Sequence, residues 1–357
     1  MARCLVVGCG AVGGVVAAHL CEQGQEVLAV TTNEPFAAAV RAGGLTVIED
    51  GAPRRVLVPI ATAVPAGGAP WDFVLLATQP PQVEEAARAA LPLLRAGGRM
   101  VCLQNGLCEE RVAAFAGADR VAGAIVAWGA TQVSPGVVDR TSAGGFSVGR
   151  LDGAPDPVVE ALGRVLESIG PVQLTANLRG ARWSKLAINC AISGLGTLGG
   201  SRLGALLRHR FVRRLALELM TEAVEVARRE EVVLEKVSGT IDLEWIALTA
   251  SERRAAGSAG LVAKHGLLLA VGSRYRRLRS SMLAAIERGR APAVDFLNGE
   301  VTARAARHGL DAPLNAAVQR GVHDLAAGRR RPGLDLLRTL FAQTRLDASI
   351  ASAPAPS

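Results

Sequence analysis

The first 176 residues of the chain alternate short apolar runs with stretches of helical spacing. The apolar runs have the composition of buried strands and occupy residues 4–7, 26–31, 72–78, 99–104 and 121–126. Helical spacing of apolar positions occurs at residues 12–23 and 82–95. This alternation predicts an α/β domain with a parallel sheet and crossover helices. Alternating residues with Gly and Pro punctuation at 44–64 and 125–151 predict antiparallel strands added at the end of that sheet.

From about residue 178 the strand-like runs give way to helical patterns. These patterns occupy residues 182–192, 211–229, 280–288, 294–308 and 314–327. They predict an all-α second domain over residues 177–345, following a first domain over residues 1–176. Residues 346–357 end in Ala, Ser and Pro and bury too little apolar surface to offset the entropy of ordering, so a disordered tail is expected there.

Composition and charge argue against several classes of protein. The longest apolar stretch, near residues 266–272, is far shorter than the ~20 residues that cross a bilayer, so no membrane association is expected. The chain begins with a strand-like run rather than with a secretory signal pattern, and the expected location is cytoplasmic. The net charge of +8 comes from arginines scattered among Asp and Glu, so nucleic-acid binding is not expected.

Cysteine, histidine and lysine usage narrows the chemistry further. The six cysteines contain no CxxC pair, and the five histidines have neither ligand spacing nor a nucleophile partner. We therefore expect reduced, structural thiols and no metal. Among the 40 basic residues, the lysines are Lys185, Lys236 and Lys264. In a chain that uses lysine so rarely, each lysine is a candidate for chemistry.

A glycine-rich loop follows the first predicted strand. Gly8-Cys9-Gly10-Ala11-Val12-Gly13 comes after Leu5-Val6-Val7 and opens a predicted helix, which is the context that a GxGxxG dinucleotide-binding loop requires. The first glycine allows the tight turn, the second admits a pyrophosphate, and the third lets helix and strand approach. The helix N-terminus then binds the phosphates. The alternative is a glycine turn kept for packing alone, but the position in the chain favours a Rossmann-type domain.

Two further strand ends bear on this cofactor. The second strand ends Val30-Thr31-Thr32-Asn33, with no acid before Glu34. An acid there binds the ribose hydroxyls of NAD, so its absence favours NADP, while the lack of an arginine leaves NAD open. At another strand end, the Asn105 amide in Gln104-Asn105-Gly106 is placed to meet the nicotinamide and the substrate. The alternative for this segment is an ordinary Asn-Gly turn.

A lysine lies on the first predicted helix of the second domain. Four-residue spacing places Lys185, Asn189 and Ser193 on one helix face, amid apolar Leu186 and Ile188. Reduction of a ketone delivers hydride to carbon while negative charge grows on oxygen, and a nearby ammonium stabilises that charge and supplies the proton. This pattern predicts Lys185 as a general acid. The alternative is a solvated surface lysine.

Five segments together resemble the ketopantoate reductase family. They are the loop at residues 8–13, Gln104-Asn105-Gly106, Trp183-x-Lys185-Leu186-x-x-Asn189, Ser280-Ser281-Met282-Leu283 and Asp295-Phe296-Leu297-Asn298-Gly299. They occur in the family's order across residues 3–320. The resemblance implies an N-terminal Rossmann dinucleotide-binding domain and an all-α C-terminal domain. It also implies an NADPH-dependent reductase that converts a 2-oxo acid to a 2-hydroxy acid, like the 2-dehydropantoate 2-reductase of pantothenate biosynthesis.

The resemblance also implies roles for single residues. The implied catalytic residues are Lys185, as general acid, and Asn189. The implied substrate contacts are Asn105, Lys185, Asn189, Ser193 and, to the substrate carboxylate, Ser281. The implied cofactor contacts are Gly8, Cys9, Gly10, Ala11, Val12, Gly13, Thr32, Gln79, Asn105 and, through its backbone, Gly129.

The chain departs from the family at several polar positions. Gln79 stands where family members commonly have Lys, and Thr32 where an NADPH-binding Arg is frequent. Ser193 replaces a second amide of the lysine helix, and Ala285 and Ala293 replace acidic residues. A retained lysine with fewer polar contacts fits retained hydride chemistry on a different 2-oxo acid.

Two other functions stay open at this point. An opine or 3-hydroxy acid dehydrogenase also joins a Rossmann domain to a helical one, although the Trp-x-Lys-Leu helix favours the ketopantoate reductase type. A nucleotide-binding or nucleotide-sensing module would keep the glycine loop and lose polar pocket residues, but Asn105, Lys185 and Asn189 argue against it. A small-molecule substrate is expected in either enzyme. A homodimer formed through apolar helices of the second domain is left open.

Overall fold

A computed structural model describes residues 1–236, 241–254 and 257–351, with side chains to residue 344. The chain divides into two compact units, of which the first is Met1–Arg182 and the second begins at Trp183. The predicted division lay six residues earlier, because a pattern of apolar spacing marks where strands stop and not where the next helix packs. The first turns of the helix Leu178–Gly199 belong to the first unit, in which Leu178 and Arg182 are buried.

The first unit contains the strands of the structure and five helices, within residues 1–182. The strands are β1 (Arg3–Val7), β2 (Glu26–Val30), β3 (Leu45–Glu49), β4 (Ala52–Val56), β5 (Ile60–Ala61), β6 (Trp71–Leu76), β7 (Leu94–Cys102), β8 (Val121–Val126), β9 (Ala130–Ser134), β10 (Val137–Arg140), β11 (Phe146–Gly149) and β12 (Val172–Leu174). The helices are α1 (Ala11–Glu22), α2 (Glu34–Gly43), α3 (Val83–Ala90), α4 (Cys108–Ala116) and α5 (Pro157–Leu166).

An eight-stranded sheet in the order β12-β11-β8-β7-β6-β1-β2-β5 forms the centre of this unit. From β5 to β8 neighbouring strands are parallel, whereas β11 is antiparallel to β8. The strand order reverses between β1 and β6, as in doubly wound dinucleotide-binding sheets, whose ligands bind beyond the carboxyl ends of the strands at this point. The predicted α/β class and parallel sheet are confirmed.

Burial on both faces explains the continuous apolar run of β1. Cys4 and Val6 belong to the core on one face of the sheet, while Leu5 and Val7 belong to the core on the other. Successive side chains of a strand point to opposite faces, so a central strand covered by helices on both sides is apolar throughout. Packing on both faces of the sheet therefore holds β1 in place, including its carboxyl end.

The antiparallel strands predicted at 44–64 and 125–151 form mainly a second sheet rather than an extension of the first. Its order is β4-β3-β10-β9, with β3 antiparallel to β4, β9 antiparallel to β10, and β3 parallel to β10. Helix α1 contacts β3, β9 and β10 on one side and β1 and β2 on the other. The prediction holds for β11, which extends the first sheet antiparallel to β8, and was wrong for the four strands of the second sheet. Strand alternation identifies a half-buried strand but not the sheet in which it pairs.

The second unit is helical in its described residues. Its helices, with α6 shared across the boundary, are α6 (Leu178–Gly199), α7 (Leu203–Leu207), α8 (Arg210–Arg229), α9 (Leu243–Ile246), α10 (Ala250–Arg254), α11 (Ala259–Arg274), α12 (Ser281–Glu287), α13 (Asn298–Arg307), α14 (Pro313–Ala326) and α15 (Leu334–Ala351). Helix α8 is central, since it contacts α7, α9, α11, α13, α14 and α15. The all-α prediction is confirmed, although α11 was not predicted, because its small apolar residues have no clear polar face.

The C-terminal segment differs in part from the expected tail. Helix α15 continues to Ala351, six residues into the segment predicted to be disordered from residue 346. Leu346, Ala348 and Ile350 are compatible with a helix, and the first proline after them is Pro354. The rest of the predicted tail, residues 352–357, lies outside the described residues. No helix in the described part of the chain is both long enough and apolar enough to span a membrane.

Candidate functional site

The glycine-rich loop lies at the carboxyl end of β1, against the segment that follows β6. Gly8 has a φ of 105°, and a Cβ atom there would lie 2.4 Å from the backbone nitrogen of Thr78. A Cβ atom at Gly13 would lie 2.3 Å from the carbonyl oxygen of Gly8. Only glycine fits these two positions, because one needs a left-handed backbone and both need close backbone approach. The structure therefore uses Gly8 and Gly13 as the dinucleotide-loop pattern requires.

Gly10 differs from these two glycines because its surroundings are open. A Cβ atom at Gly10 would meet nothing within 4 Å. Ala11 and Val12 follow as the first residues of α1, and the first N–H groups of a helix have no acceptor within the helix. The free space and the helix N-terminus suit an anionic group of a dinucleotide, which is the fit that a pyrophosphate requires.

Cys9 contributes to this loop through its backbone alone. Its side chain is 1% exposed in the core, and burial raises the pKa of its thiol to about 12. Its N–H donates to the carbonyl of Val30 at 2.7 Å. None of the six cysteines, all of which lie in described residues, forms a disulfide.

The end of β2 carries hydroxyl and amide groups without an acid. Thr32 is exposed, and the Asn33 side chain accepts from the N–H of Phe36 at 3.2 Å to cap α2. Glu34 comes only in the first turn of that helix. The end of β2 therefore presents the neutral, exposed side chain of Thr32.

The loops after β6 and β7 meet at the same edge of the sheet. The side-chain amide of Gln104 donates to the Thr78 hydroxyl at 3.2 Å. Gln79 is the next residue and precedes a short 3-10 helix, Pro80–Gln82. Within residues 101–109, Asn105 alone is exposed, and its neighbour Gly106 has a φ of 90°. Thus the structure brings the glycine loop, Gln79 and Asn105 to one edge.

Gly129 is already engaged through its backbone. Its N–H donates to the Ser142 hydroxyl at 2.9 Å, and its carbonyl accepts from the N–H of Thr141 at 2.9 Å. A cofactor contact through this backbone would need the second lone pair of the carbonyl. The role of Gly129 stays a prediction.

The lysine face of α6 lies in the second unit as the spacing predicts. Lys185, Asn189 and Ser193 are each half-buried on this helix. The side-chain nitrogen of Asn189 is buried and has no hydrogen-bond partner in the described part of the chain. A buried amide donor without a partner costs free energy, so it indicates an acceptor supplied by a ligand or by water.

The start of α12 lies beside this face of α6. The Ser280 hydroxyl caps α12 and donates to the carbonyl oxygen of Ser193 at 3.0 Å, and it lies 2.7 Å from the Thr197 hydroxyl. Ser281, the next residue, is exposed. The structure therefore brings the first turn of α12, with Ser281, next to Ser193. Ala285, also on α12, and Ala293 are half-buried and place methyl groups where the resemblance implies acids.

A buried polar network supports α6 on its other side. Asn298, which is fully buried, donates to the carbonyl of Cys190 at 3.2 Å and to the Asn315 side chain at 2.9 Å. Glu222 accepts from the N–H groups of Leu314 and Asn315, both at 2.9 Å. Asn298 belongs to a segment that carries the family resemblance, and its observed role is to hold the helix backbone.

Sequence reasoning missed a buried ion pair in the first unit. Arg182 and Glu109 are each 1% exposed and form a salt bridge. Arg182 also donates to the carbonyl oxygens of Gln104 at 2.7 Å and Cys102 at 2.8 Å. The surrounding residues, which include Arg179, Ser184 and Lys185, give no local signal that separates Arg182 from the other arginines of the chain.

These features define a class of protein: a dinucleotide-binding unit with the Rossmann strand order, followed by a helical unit with a lysine and an amide on one helix face. Two family models match the chain, "Ketopantoate reductase PanE/ApbA" over residues 4–153 and "Ketopantoate reductase PanE/ApbA C terminal" over residues 177–326. The chain therefore belongs to the ketopantoate reductase PanE/ApbA family, and it is an oxidoreductase.

Curated relatives agree with this membership. The chain is 25% identical over 312 residues to a 2-dehydropantoate 2-reductase of Pyrococcus horikoshii, covering 87% of this chain and 93% of the relative. It is 27% identical over 333 residues to the Halobacterium salinarum enzyme of the same name, covering 93% of this chain and 100% of the relative. The resemblance read from the sequence is confirmed.

Solved structures share the fold. A PanE/ApbA family ketopantoate reductase from Ralstonia eutropha has a TM-score of 0.75 at 23% identity, covering 92% of this chain and 100% of that chain. D-mandelate dehydrogenase in complex with NADH and anilino(oxo)acetate has a TM-score of 0.77 at 17% identity, covering 91% of this chain and 99% of that chain. At these identities the likeness concerns the fold alone.

Proposed function

We propose that this chain reduces a 2-oxo acid to a 2-hydroxy acid with NADPH, and that Lys185 is the general acid. One observation carries the proposal: the half-buried face of α6 presents Lys185 beside the buried amide nitrogen of Asn189, which has no hydrogen-bond partner among the described residues. A cationic proton donor next to an amide donor suits an oxygen on which negative charge develops. Family membership supports the same chemistry.

The roles of the side chains follow from this chemistry. The nicotinamide, when bound, supplies a hydride to the carbonyl carbon of the substrate. Lys185 holds the proton that goes to the carbonyl oxygen, and the Asn189 amide donates to the same oxygen and orients it. The hydroxyls of Ser193 and Ser281 are donors for the substrate carboxylate. In the first unit, the Asn105 amide is the donor for the nicotinamide.

The end of β2 supports NADPH as the preferred cofactor. Thr32 is neutral and exposed there, so it offers hydrogen bonding without repelling a 2′-phosphate. The fit of the glycine loop to a pyrophosphate, argued above from Gly8, Gly10 and Gly13, supports a dinucleotide in general. The choice between NADPH and NADH therefore depends on Thr32.

The polar residues that this chain lacks bear on the substrate. Gln79, Ser193, Ala285 and Ala293 replace charged or amide groups common in the family. We therefore place the substrate among 2-oxo acids as a class, of which 2-dehydropantoate is one member.

A panel of 2-oxo acids tests the proposal, with NADPH and NADH oxidation followed by absorbance. The panel includes 2-dehydropantoate and straight, branched and aromatic 2-oxo acids, each with and without an added amino acid. We expect turnover of at least one 2-oxo acid with NADPH and no amino acid. Oxidation that requires an amino acid would instead identify an opine dehydrogenase. NADPH binding by calorimetry without any turnover would contradict the proposal and favour a nucleotide-binding module.

A further inference from the structure

The loop that carries Asn105 is tied at both of its ends to one buried guanidinium. Arg182 donates to the carbonyl of Cys102, the last residue of β7, and to the carbonyl of Gln104, two residues further along in the loop. The same guanidinium pairs with Glu109 in the first turn of α4, where the loop ends. One side chain therefore links the end of the strand, the loop and the start of the helix.

Two further hydrogen bonds hold the loop, and Asn105 is the one exposed residue within 101–109. The Gln104 amide donates to the Thr78 hydroxyl at 3.2 Å, and the Cys108 thiol donates to the carbonyl of Asn105 at 3.5 Å. Asn105 is exposed while its neighbours on both sides are buried. The bonds fix the backbone of the loop, and the free amide at its tip takes its direction from that backbone.

The buried ion pair is a costly way to stabilise a fold. Burial raises the pKa of Glu109, and the nearby Arg182 guanidinium opposes that rise. Well-packed apolar residues can stabilise a core as well as a buried ion pair does, whereas the pair adds directional bonds. Here those directional bonds end on the carbonyls of the Asn105 loop.

A second guanidinium, which bonds carbonyls of β7 away from the candidate site, provides a comparison. Arg99, in the middle of this strand, has a side chain that is 11% exposed and pairs with Asp156, whose side chain is 3% exposed. It also donates to the carbonyls of Gly97 at 2.8 Å and Gly98 at 3.0 Å. Arg99 and Arg182 therefore make the same kinds of bonds to different parts of one strand, and of the two only Arg182 bonds a loop that carries a candidate binding residue.

We propose that Arg182, with Glu109, is a positioning residue that sets the direction of the Asn105 amide for the nicotinamide and the substrate. This inference rests on the proposed reductase function for its kinetic consequences. The geometry of the loop does not depend on that function, so the two can be tested separately.

The test compares Arg182→Lys with the matched control Arg99→Lys in the full chain. Lysine keeps the positive charge and lacks the planar fork that bonds two carbonyls and a carboxylate together. In the free protein, we expect Arg182→Lys to raise amide hydrogen exchange in residues 101–112 about tenfold or more. We expect Arg99→Lys to leave exchange in 101–112 near wild type and to raise it around residue 156 instead. Equal exchange of residues 101–112 in the two variants would overturn the positioning role.

A double-mutant cycle with Asn105→Ala provides the kinetic arm. If Arg182 acts through Asn105, Arg182→Lys lowers kcat/KM roughly 10- to 100-fold in the wild-type background and less than about threefold in Asn105→Ala. Losses that multiply, or an Arg182→Lys enzyme with the kcat/KM of Arg99→Lys at matched stability, would overturn the proposal. An inactive wild type would contradict the proposed function, and hydrogen exchange would then decide the loop's dependence on Arg182.

Discussion

The side-chain amide of Gln104 donates a hydrogen bond to the hydroxyl of Thr78 at 3.2 Å. The bond joins the loop after β7 to the loop after β6, and the backbone of Thr78 in turn lies against Gly8. Three loops from three neighbouring strands thus form one connected edge. Substitutions along this edge can separate an effect on folding from an effect on binding.

Substitutions of Gly8 and of Gly10 are expected to affect different properties, the stability of the fold and the binding of the cofactor. Gly8→Ala forces a side chain into a left-handed backbone and against Thr78, so it should lower the free energy of unfolding by roughly 1–3 kcal/mol. Gly10→Val has space in the protein itself, so it should weaken NADPH binding roughly tenfold or more with a smaller loss of stability. Calorimetry and chemical denaturation measure the two effects. Gly67→Ala is the control, since its Cβ would also meet nothing within 4 Å. Unchanged NADPH affinity in Gly10→Val would contradict the proposal that the cofactor binds at this loop.

An acid at the end of β2 should change the cofactor preference. Thr32→Asp places a carboxylate where the ribose hydroxyls of NADH can donate to it and where a 2′-phosphate is repelled. We expect the ratio of kcat/KM for NADPH to that for NADH to fall roughly tenfold or more. Steady-state rates with both cofactors measure the ratio, with Thr32→Ser as the control. A wild type that prefers NADH would contradict the assignment of NADPH.

Loss of Lys185 should affect chemistry rather than cofactor binding. Lys185→Ala is expected to lower kcat by roughly 10² to 10⁴, the range for a positioned acid, with little change in NADPH affinity. Lys185→Arg should be similarly slow, because arginine keeps the charge but does not release its proton. Lys236→Ala is the control, since Lys236 is a lysine of the same unit whose side chain is 65% exposed. Near-normal turnover of Lys185→Ala would rule out the general-acid role.

The ionisation of Glu49 should make the free energy of unfolding depend on pH. Burial acts to raise the pKa of Glu49, but hydrogen bonds from Arg140, His19 and Arg54 lower it to about 2. Because the pKa is lower in the folded state, the stabilisation is present above the ordinary Glu pKa of about 4.5 and disappears as pH falls toward 2. Glu49→Gln should therefore lose on the order of 2 kcal/mol at pH 7 and little near pH 2.

Denaturation at a series of pH values measures the difference between Glu49→Gln and wild type. Glu34→Gln is the control, because the Glu34–Arg41 pair is exposed and such pairs contribute little. A difference for Glu49→Gln that stayed constant from pH 7 to pH 2 would contradict the assignment of the low pKa to Glu49.

The sequence predicted those parts of the molecule that depend on local pattern. The glycine loop follows from the spacing of its glycines after a strand-like run. The first strand and the Lys185–Asn189–Ser193 face follow from the periodicity of a strand and of a helix. The second sheet did not follow, because which strands pair is decided by contacts far apart in the chain, such as β3 with β10. Arg182 did not follow either, since among 37 arginines nothing local separates a buried one from an exposed one.

The network behind α6 has a consequence for how this family can diversify. Asn298 holds the carbonyl of Cys190, and Glu222 with Asn315 holds Asn298, all on the side of the helix away from Lys185. These hydrogen bonds hold the backbone of α6 independently of the face that carries Lys185. Side chains on that face can therefore be substituted without loss of the bonds that hold the helix. If Lys185, Asn189 and Ser193 contact the substrate as proposed, substitutions on this face change the choice of substrate at small cost in stability, and these are the positions at which to engineer a new specificity.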